Sequence, residues 1–545
     1  RARKRSEAVG GSARKLSANS RHRKSRSFEF PFSSWVRHTP ALDVSCTSTS
    51  SVCSRRSSGS EGTVETSSNS SSSRGHLQRD PNYRIEYAIK SINLTCVSNA
   101  AYVKELENEI NILRVLDHPN IVRPIETFSH RRQLYMVMEL CSGGDLYARD
   151  PYTEEQARKI IHKVVSAVSF MHRCGITHRD IKFENILFEN ESKDAEVKIV
   201  DFGLSKKYFG LKKGPGEFMD EGVGTVYSMS PEVLQGRYTN QADLWSVGVI
   251  AFMLLSSQMP FYGKKREHVF QRILHGIYEF QGHRWYAVSE EAKDFVCGLL
   301  QVDTNVRMTA CEALQHPWLN PDARQIDPSS NAETANAYEM TLMDRDCHGQ
   351  KKGLRQPSWA AIEVHDSMEE FCRYKRLKKL ALMIIAYKST SEEIGFLRKS
   401  FDKYNTTHDG TITFEQFKMA MSGFAHSEEK LRDMFDSIDL DASGMIHYTE
   451  FIAATLEARG AIVEERIAEA FDRLDSDDTG YISKKNLHDI IGDGGFMRQV
   501  VTDKDIQEII DEVDLDHDSK ISYDDFLSLW GVERQCRVEE RIGCM

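Results

Sequence analysis

The chain has 545 residues, 40% of them hydrophobic and 28% charged, enough for two or three separate cores. Its longest apolar runs, 247–255 and 380–387, fall far short of the roughly 20 residues that span a bilayer, so no transmembrane helix is expected. The net charge of −10 is uneven: residues 1–57 hold 13 Lys/Arg against 3 acidic residues, which leaves an acidic body suited to cations and no expectation of a nucleic-acid partner.

Eleven scattered cysteines without a C-x-x-C pair read as reduced thiols in a cytoplasmic setting. The sequence begins on Arg1 rather than Met and reads as a fragment, a processed form or an incomplete gene prediction, so membrane attachment stays an open reading. Residues 1–80 are Ser/Arg-rich and poor in periodic apolar positions, the composition of a disordered basic tail. Compact patterning covers 81–319. A linker and a basic amphipathic stretch occupy 320–391, an acidic repeating region runs over 392–535, and a short tail follows over 536–545.

Tyr87-Ala88-Ile89-Lys90 alternates as a strand, and 19 residues later Glu109 lies in the helical pattern ELENEINIL. Residues 136–140 read MVMEL, a strand running into a connection. Residues 175–186 read GITHRDIKFENI; Asp201-Phe202-Gly203 follows 21 residues after Asp180, and Ser230-Pro231-Glu232 comes next. Each triplet is weak by itself, but their order and spacing resemble the protein-kinase signature set H-R-D-x-x-x-x-N, D-F-G and a variant of A-P-E. The resemblance implies an α+β two-lobed kinase fold using ATP and Mg²⁺.

It also implies roles. Phosphoryl transfer needs positioning and charge neutralisation more than covalent help. Asp180 is expected to orient the substrate hydroxyl, Lys182 to neutralise the transferred group, and Asn185 and Asp201 to hold Mg²⁺. Lys182 at that place resembles Ser/Thr kinases. Lys90, paired with Glu109, is expected on the α/β-phosphates. Met138 is expected behind the adenine pocket, and Glu139 and Cys141 are expected to offer backbone groups. Asp145 and Glu184 suggest substrates with Arg or Lys near the phosphoacceptor. Glu221 is expected to give Arg179 the fixed charge that a loop phosphate supplies in many kinases. Glu232 is expected to pair with Arg307 structurally.

One element departs from the pattern. The window 69–75, where a glycine-rich phosphate loop is expected, reads NSSSSRG. Either sequence is missing there or the enzyme is impaired, and the completeness of the other signatures favours missing sequence. The alternative reading is a calcium-responsive pseudokinase or scaffold; a third is a constitutive kinase with a structural C-terminal module.

After residue 392 a helix–loop–helix pattern recurs, its loops starting at Asn405, Asp439, Asp475 and Asp514. An EF-hand loop takes oxygen ligands at positions 1, 3, 5, 7, 9 and 12, with Gly at 6 and a bidentate Glu at 12. The second loop, 439–450, fits fully: Asp439, Asp441, Ser443, the Met445 carbonyl and Glu450. The first, 405–416, ends on Gln416 and is expected to bind weakly or not at all. The third offers Asp475, Asp477, Thr479 and the Tyr481 carbonyl but ends on Asn486. The fourth offers Asp514, Asp516, Asp518, the Lys520 carbonyl and the shorter Asp525, with Ser519 in place of the turn glycine. For these two, ligation and scaffolding are evenly balanced.

Residues 368–388, MEEFCRYKRLKKLALMIIAYK, place Phe371, Leu377, Leu380 and Ile384 near one helical face, with basic residues around them. The order of kinase, basic helix and four EF-hand units resembles the plant and protist calcium-dependent protein kinases. That resemblance implies an intramolecular switch: the junction helix blocks the substrate cleft until calcium-loaded EF-hands capture it.

Overall fold

The computed structural model describes residues 86–93, 100–207, 219, 222–321, 359–491 and 502–531. The basic tail, the 69–75 window, Glu221, residues 322–358 of the linker and the last tail lie outside these. The alternating apolar positions near the start form β1 (Tyr87–Asn93), followed by helix α1 (Ala100–Leu113), β2 (Pro124–His130) and β3 (Gln133–Glu139). The three strands make an antiparallel sheet of order β1-β3-β2, with Lys90 opposite Met136. Arg131 and Arg132 both adopt positive φ in the β2–β3 turn, as a two-residue hairpin connection requires.

The second lobe is helical. Helix α2 (Glu154–Arg173) opens on a reciprocal capping box between Thr153 and Gln156. Short strands β4 (Ile176–Thr177), β5 (Ile186–Phe188), β6 (Val197–Ile199) and β7 (Lys206–Lys207) pair as β4–β7 and β5–β6 and frame the loops between them. After α3 (Pro231–Leu234), helix α4 (Gln241–Ser256) is apolar on every side and buried from Ala242 to Ser256, so it forms the centre of the lobe. Helices α5 (Arg266–Leu274), α6 (Glu290–Leu299) and α7 (Ala310–Leu314) close around it. Arg307 clasps Glu232 through Nη1–Oε1 at 2.5 Å and Nη2–Oε2 at 3.0 Å, tying α3 to this core.

The junction is two helices, α8 (Trp359–Arg373) and α9 (Arg376–Lys388), and not one continuous face. Phe371 packs in the core of the first pair of EF units, whereas Leu377, Leu380 and Ile384 pack in that of the second. The break at Tyr374 and Lys375 allows this, and α9 buries apolar groups on both sides.

The first EF pair consists of α10 (Ser391–Tyr404), β8 (Thr411–Thr413), α11 (Phe414–Ala420), α12 (Glu428–Ile438), β9 (Met445–His447) and α13 (Tyr448–Thr455). The second consists of α14 (Glu464–Leu474), β10 (Tyr481–Ile482), α15 (Lys484–Ile491), α16 (Asp503–Asp511), β11 (Ile521–Ser522) and α17 (Tyr523–Ser528). Ile412 pairs with Ile446 and Ile482 with Ile521, joining the loops two by two.

This module sits against the catalytic lobes. Arg123 donates to the Ser389 carbonyl at 3.0 Å, and the Tyr387 hydroxyl donates to the Pro124 carbonyl at 2.5 Å. Arg398 reaches Glu189 at 2.8 Å, and Thr449 donates from N and Oγ1 to Asp117 at 2.8 and 2.7 Å. Burial raises the Glu189 carboxyl, but Lys198 and Arg398 outweigh it and hold it down to about 2.

Candidate active site and calcium loops

Asp180 sits on the loop between β4 and β5 and is nearly buried. Its Oδ2 accepts from Lys182 Nζ at 2.6 Å, and its Oδ1 accepts from Thr225 Oγ1 at 2.8 Å and Thr225 N at 3.0 Å. Lys182 also donates to Thr225 Oγ1 at 3.0 Å. Asn185 donates from Nδ2 to the Asp180 carbonyl at 2.9 Å, which ties the loop and leaves its amide oxygen free of that bond. The arrangement holds the Asp180 carboxylate oriented and beside the Lys182 ammonium.

Across the cleft, Lys90 on β1 pairs with Glu109 on α1 at 2.6 Å and reaches Asp201 Oδ1 at 3.4 Å. Burial disfavours the Lys90 ammonium, yet Glu109 and Asp201 together raise its pKa above the ordinary value. Asp201 adopts φ +64°, and a methyl at Gly203 would lie 3.4 Å from Asp201 Oδ1 and 3.6 Å from Glu109 Oε2. The D-F-G turn therefore brings both carboxylates and Lys90 to one point. Phe202 is buried, its ring edge-on to His178 at 4.8 Å.

The connection between the lobes runs from Met138 and Glu139 at the end of β3 to Cys141. The Glu139 N–H donates to the Arg123 carbonyl at 3.1 Å and its side chain faces Lys198 at 2.8 Å. Cys141 lies partly buried beside it, and burial followed by Glu139 pushes its thiol up to about 12. Met138 packs partly buried on the core. Asp145 caps the short 3₁₀ turn Leu146–Arg149, accepting from Ala148 N at 3.2 Å. Glu184 is exposed and accepts from the Tyr227 hydroxyl at 2.5 Å.

The four calcium loops divide into two kinds. In 439–450, Asp439 accepts from Ser443 N at 3.0 Å and Gly444 N at 2.8 Å, and Glu450 accepts from Leu440 N and His447 N, both at 2.8 Å. Ligand oxygens of Asp439, Asp441 and Glu450 lie within 4.8 Å of one another. Burial first, then the crowding of like charges, raises the pKa of Asp439 and Glu450, the electrostatic state of a carboxylate cage that favours a cation. Asp514, Asp516 and Asp518 form a second such group, with Ser519 taking φ +66° where glycine is usual. Asp525 accepts from Ser522 N at 3.0 Å.

The other two loops are closed by an amide. Gln416 donates from Nε2 to Thr407 Oγ1 at 2.9 Å and Thr406 Oγ1 at 3.2 Å. Asn486 donates from Nδ2 to Asp477 Oδ1 at 3.2 Å and Ser476 Oγ at 2.9 Å. A position-12 donor thus cross-links the loop where a cation would need an acceptor. Asp475 still accepts from Gly480 N at 2.7 Å, and Thr479 Oγ1 donates to the Tyr481 carbonyl at 3.1 Å, so the third loop is shaped without an ion.

A protein kinase domain model matches residues 72–319, and an EF-hand domain pair model matches 396–456 and 464–531. Calcium-dependent protein kinase 17 of Arabidopsis thaliana is 32% identical over 452 residues, 82% of this chain and 78% of that protein. Calcium-dependent protein kinase 20 of Oryza sativa subsp. japonica is 32% identical over 81% of this chain and 75% of its own length. The chain belongs to the calcium-dependent protein kinases. As a calcium-dependent protein kinase it is a calcium-regulated Ser/Thr phosphotransferase that uses ATP, Mg²⁺ and Ca²⁺.

In this calcium-dependent protein kinase the sequence reading missed Asp243 and Thr225. Asp243, buried on α4, accepts from His178 N and Arg179 N at 2.9 Å each and faces His172 at 2.9 Å. Burial pushes its carboxyl up, but these donors win and hold it below the usual range. It sets the backbone that presents Asp180. A single carboxylate inside an otherwise apolar helix was the available signal.

Proposed function

We propose that Asp180, Lys182 and Thr225 position a Ser/Thr hydroxyl for transfer, and that α9 is the element calcium moves. Asp180 Oδ1, already accepting from Thr225, is the base that takes the hydroxyl proton. Lys182 swings from Asp180 toward the phosphoryl oxygens. Lys90, set by Glu109, holds the inner phosphates. Asn185 and Asp201 would hold Mg²⁺, which would supply charge neutralisation there. Asp145 and Glu184 give the cleft an acidic rim that selects Arg or Lys near the phosphoacceptor. The scattered cysteines, without a C-x-x-C pair, are the support for the cytoplasmic setting we adopt.

The observation that carries the regulatory reading is the seating of α9 between the two EF pairs. Lys375 donates to the Glu512 carbonyl at 2.7 Å and Lys379 to the Ser437 carbonyl at 3.1 Å, both at C-terminal ends of EF helices where the helix dipole favours cations. Lys378 lies 3.3 Å from Glu457 and 3.5 Å from the centre of the Tyr374 ring. This supports a captured helix, released from an inhibitory position. Calcium, held best by 439–450 and next by 514–525, supplies the differential binding energy. A ~100-fold activation needs about 2.7 kcal/mol of it.

The test is phosphate transfer from ATP to an Arg-containing peptide, with calcium or chelator, and Asp180→Asn as control. Transfer that rises with calcium and drops about 10²–10⁴-fold in the variant is expected. Equal transfer with chelator sinks the switch, and transfer by Asp180→Asn at the parent rate sinks the assigned base.

A further inference from the structure

Three side chains with no part in the reading above converge where α8 meets the connector between the first two EF units. His365 and Glu369 stand one turn apart on α8, so both project from one face. His426 comes from the loop just before α12. The Nε2 atoms of His365 and His426 are 2.7 Å apart, and Glu369 Oε1 lies 3.8 Å from the first and 3.6 Å from the second. His365 is buried, its ring stacked on Phe424 with centroids 4.0 Å apart and planes 7° apart.

The hydrogen-bond partners select one proton arrangement. His365 Nδ1 lies 2.9 Å from Asp366 Oδ1, so Nδ1–H donates to the carboxylate and Nε2 keeps its lone pair. His426 then donates from Nε2 to that lone pair. Moving one proton from Nε2 to Nδ1 of His426 leaves two imidazole lone pairs and a carboxylate facing one point. A carboxylate behind a ligating histidine is the usual support for a metal-bound imidazole. Ligand atoms around tetrahedral zinc, at about 2.0–2.1 Å from the metal, lie roughly 3.3 Å from each other. The separations here straddle that value.

We propose that His365, Glu369 and His426 form a zinc site that clamps α8 to the connector of the first EF pair. Two imidazoles and a carboxylate suit zinc, whereas calcium prefers an all-oxygen shell, so the site is chemically separate from the loops. Lys430 donates to Glu369 Oε1 and Arg373 lies 3.8 Å from its Oε2. Both are largely exposed, so zinc displaces Lys430 into solvent and not into a core.

The test is titration of the full chain with zinc while calcium and magnesium are in excess, by calorimetry and X-ray absorption. One zinc per chain with a two-imidazole spectrum is expected, missing from His365→Gln/His426→Gln and weakened at least about tenfold by Glu369→Gln. Because His365 packs in the lobe, His426→Gln is read beside it, with calcium affinity reporting the fold. Lost zinc with unchanged calcium binding supports the site. Zinc taken up equally by His426→Gln, or a spectrum without imidazole, overturns it.

Discussion

Position 12 of each loop decides what that loop can hold. Glu450 gathers three backbone N–H groups within 3.3 Å, and burial raises its carboxyl and that of Asp439 above the usual range. Glu450→Gln keeps the shape and removes the charge. The calcium needed for half-maximal kinase activity should then rise at least about tenfold, and an unshifted activation curve would remove this loop from the switch. Asn486 offers the converse experiment. Asn486→Glu replaces the cross-linking donor by a ligand, so calorimetry should count one more calcium per chain than in the parent. The identity of both residues was legible in the sequence. That the Asn486 amide turns its donors inward was not, because which end of an amide faces a loop depends on the neighbours, here Ser476 and Asp477. Asp243 escaped for a related reason: its partners are backbone groups of a loop more than sixty residues away.

At the scale of elements, α9 is the piece whose pattern misled. A one-face reading of 368–388 grouped Phe371 with Leu380, but the chain breaks between them and the two enter different cores. Leu382, Met383 and Ala386 face the first EF pair, while Leu380, Ala381, Ile384 and Ile385 face the second. A helix gripped from both sides is apolar nearly all round, so a single stripe averages two surfaces into one. The strands, the D-F-G turn and the four-loop array were legible because each carries its own local spacing. Truncating the grip should show its worth. Leu380→Ala removes buried side-chain volume between α9 and the second pair, costing about 2–5 kcal/mol of that contact. The calcium dependence of peptide phosphorylation should shift to higher calcium while basal activity in chelator stays put. An unchanged curve would mean that α9 is not what the second pair holds.

On the scale of the whole molecule, the first EF loop abuts α2 through a cluster of imidazoles. His118 accepts from Asn120 N at 3.0 Å and contacts Ser166 Oγ at 3.0 Å, and the Ser166 hydroxyl donates to the His408 carbonyl. His162 meets the His408 ring edge-on at 4.5 Å. Burial, then Lys198 and Arg173, push His118 down to about 3; burial, then His408, Lys163 and Arg158, do the same to His162. Burial lowers His408 as well, with Asp409 opposing it only in part. His118 and His162 take up protons less readily when folded than when unfolded, so between about pH 6.5 and 3 the unfolded chain binds more. Stability should therefore fall on acidification through that window, by at most ~1.4 kcal/mol per pH unit for His118. Scanning calorimetry at pH 7.5 and 5.5 should show a lowered melting temperature, with the drop reduced in His162→Gln.

The loop at 405–416 is held by a neighbour. Arg173 of α2 holds Asp409 Oδ2 at 2.6 Å, and Asp409 stands at position 5 of that loop, its third ligand place. A methyl at Gly410 would strike the His118 ring at 2.3 Å, so catalytic lobe and loop turn are fitted face to face. Were Gln416 restored to glutamate, incoming calcium would contest with Arg173 for the same carboxylate. The enzyme would become a rival of its own regulator's metal, and filling that loop would loosen the join that the other loops leave intact.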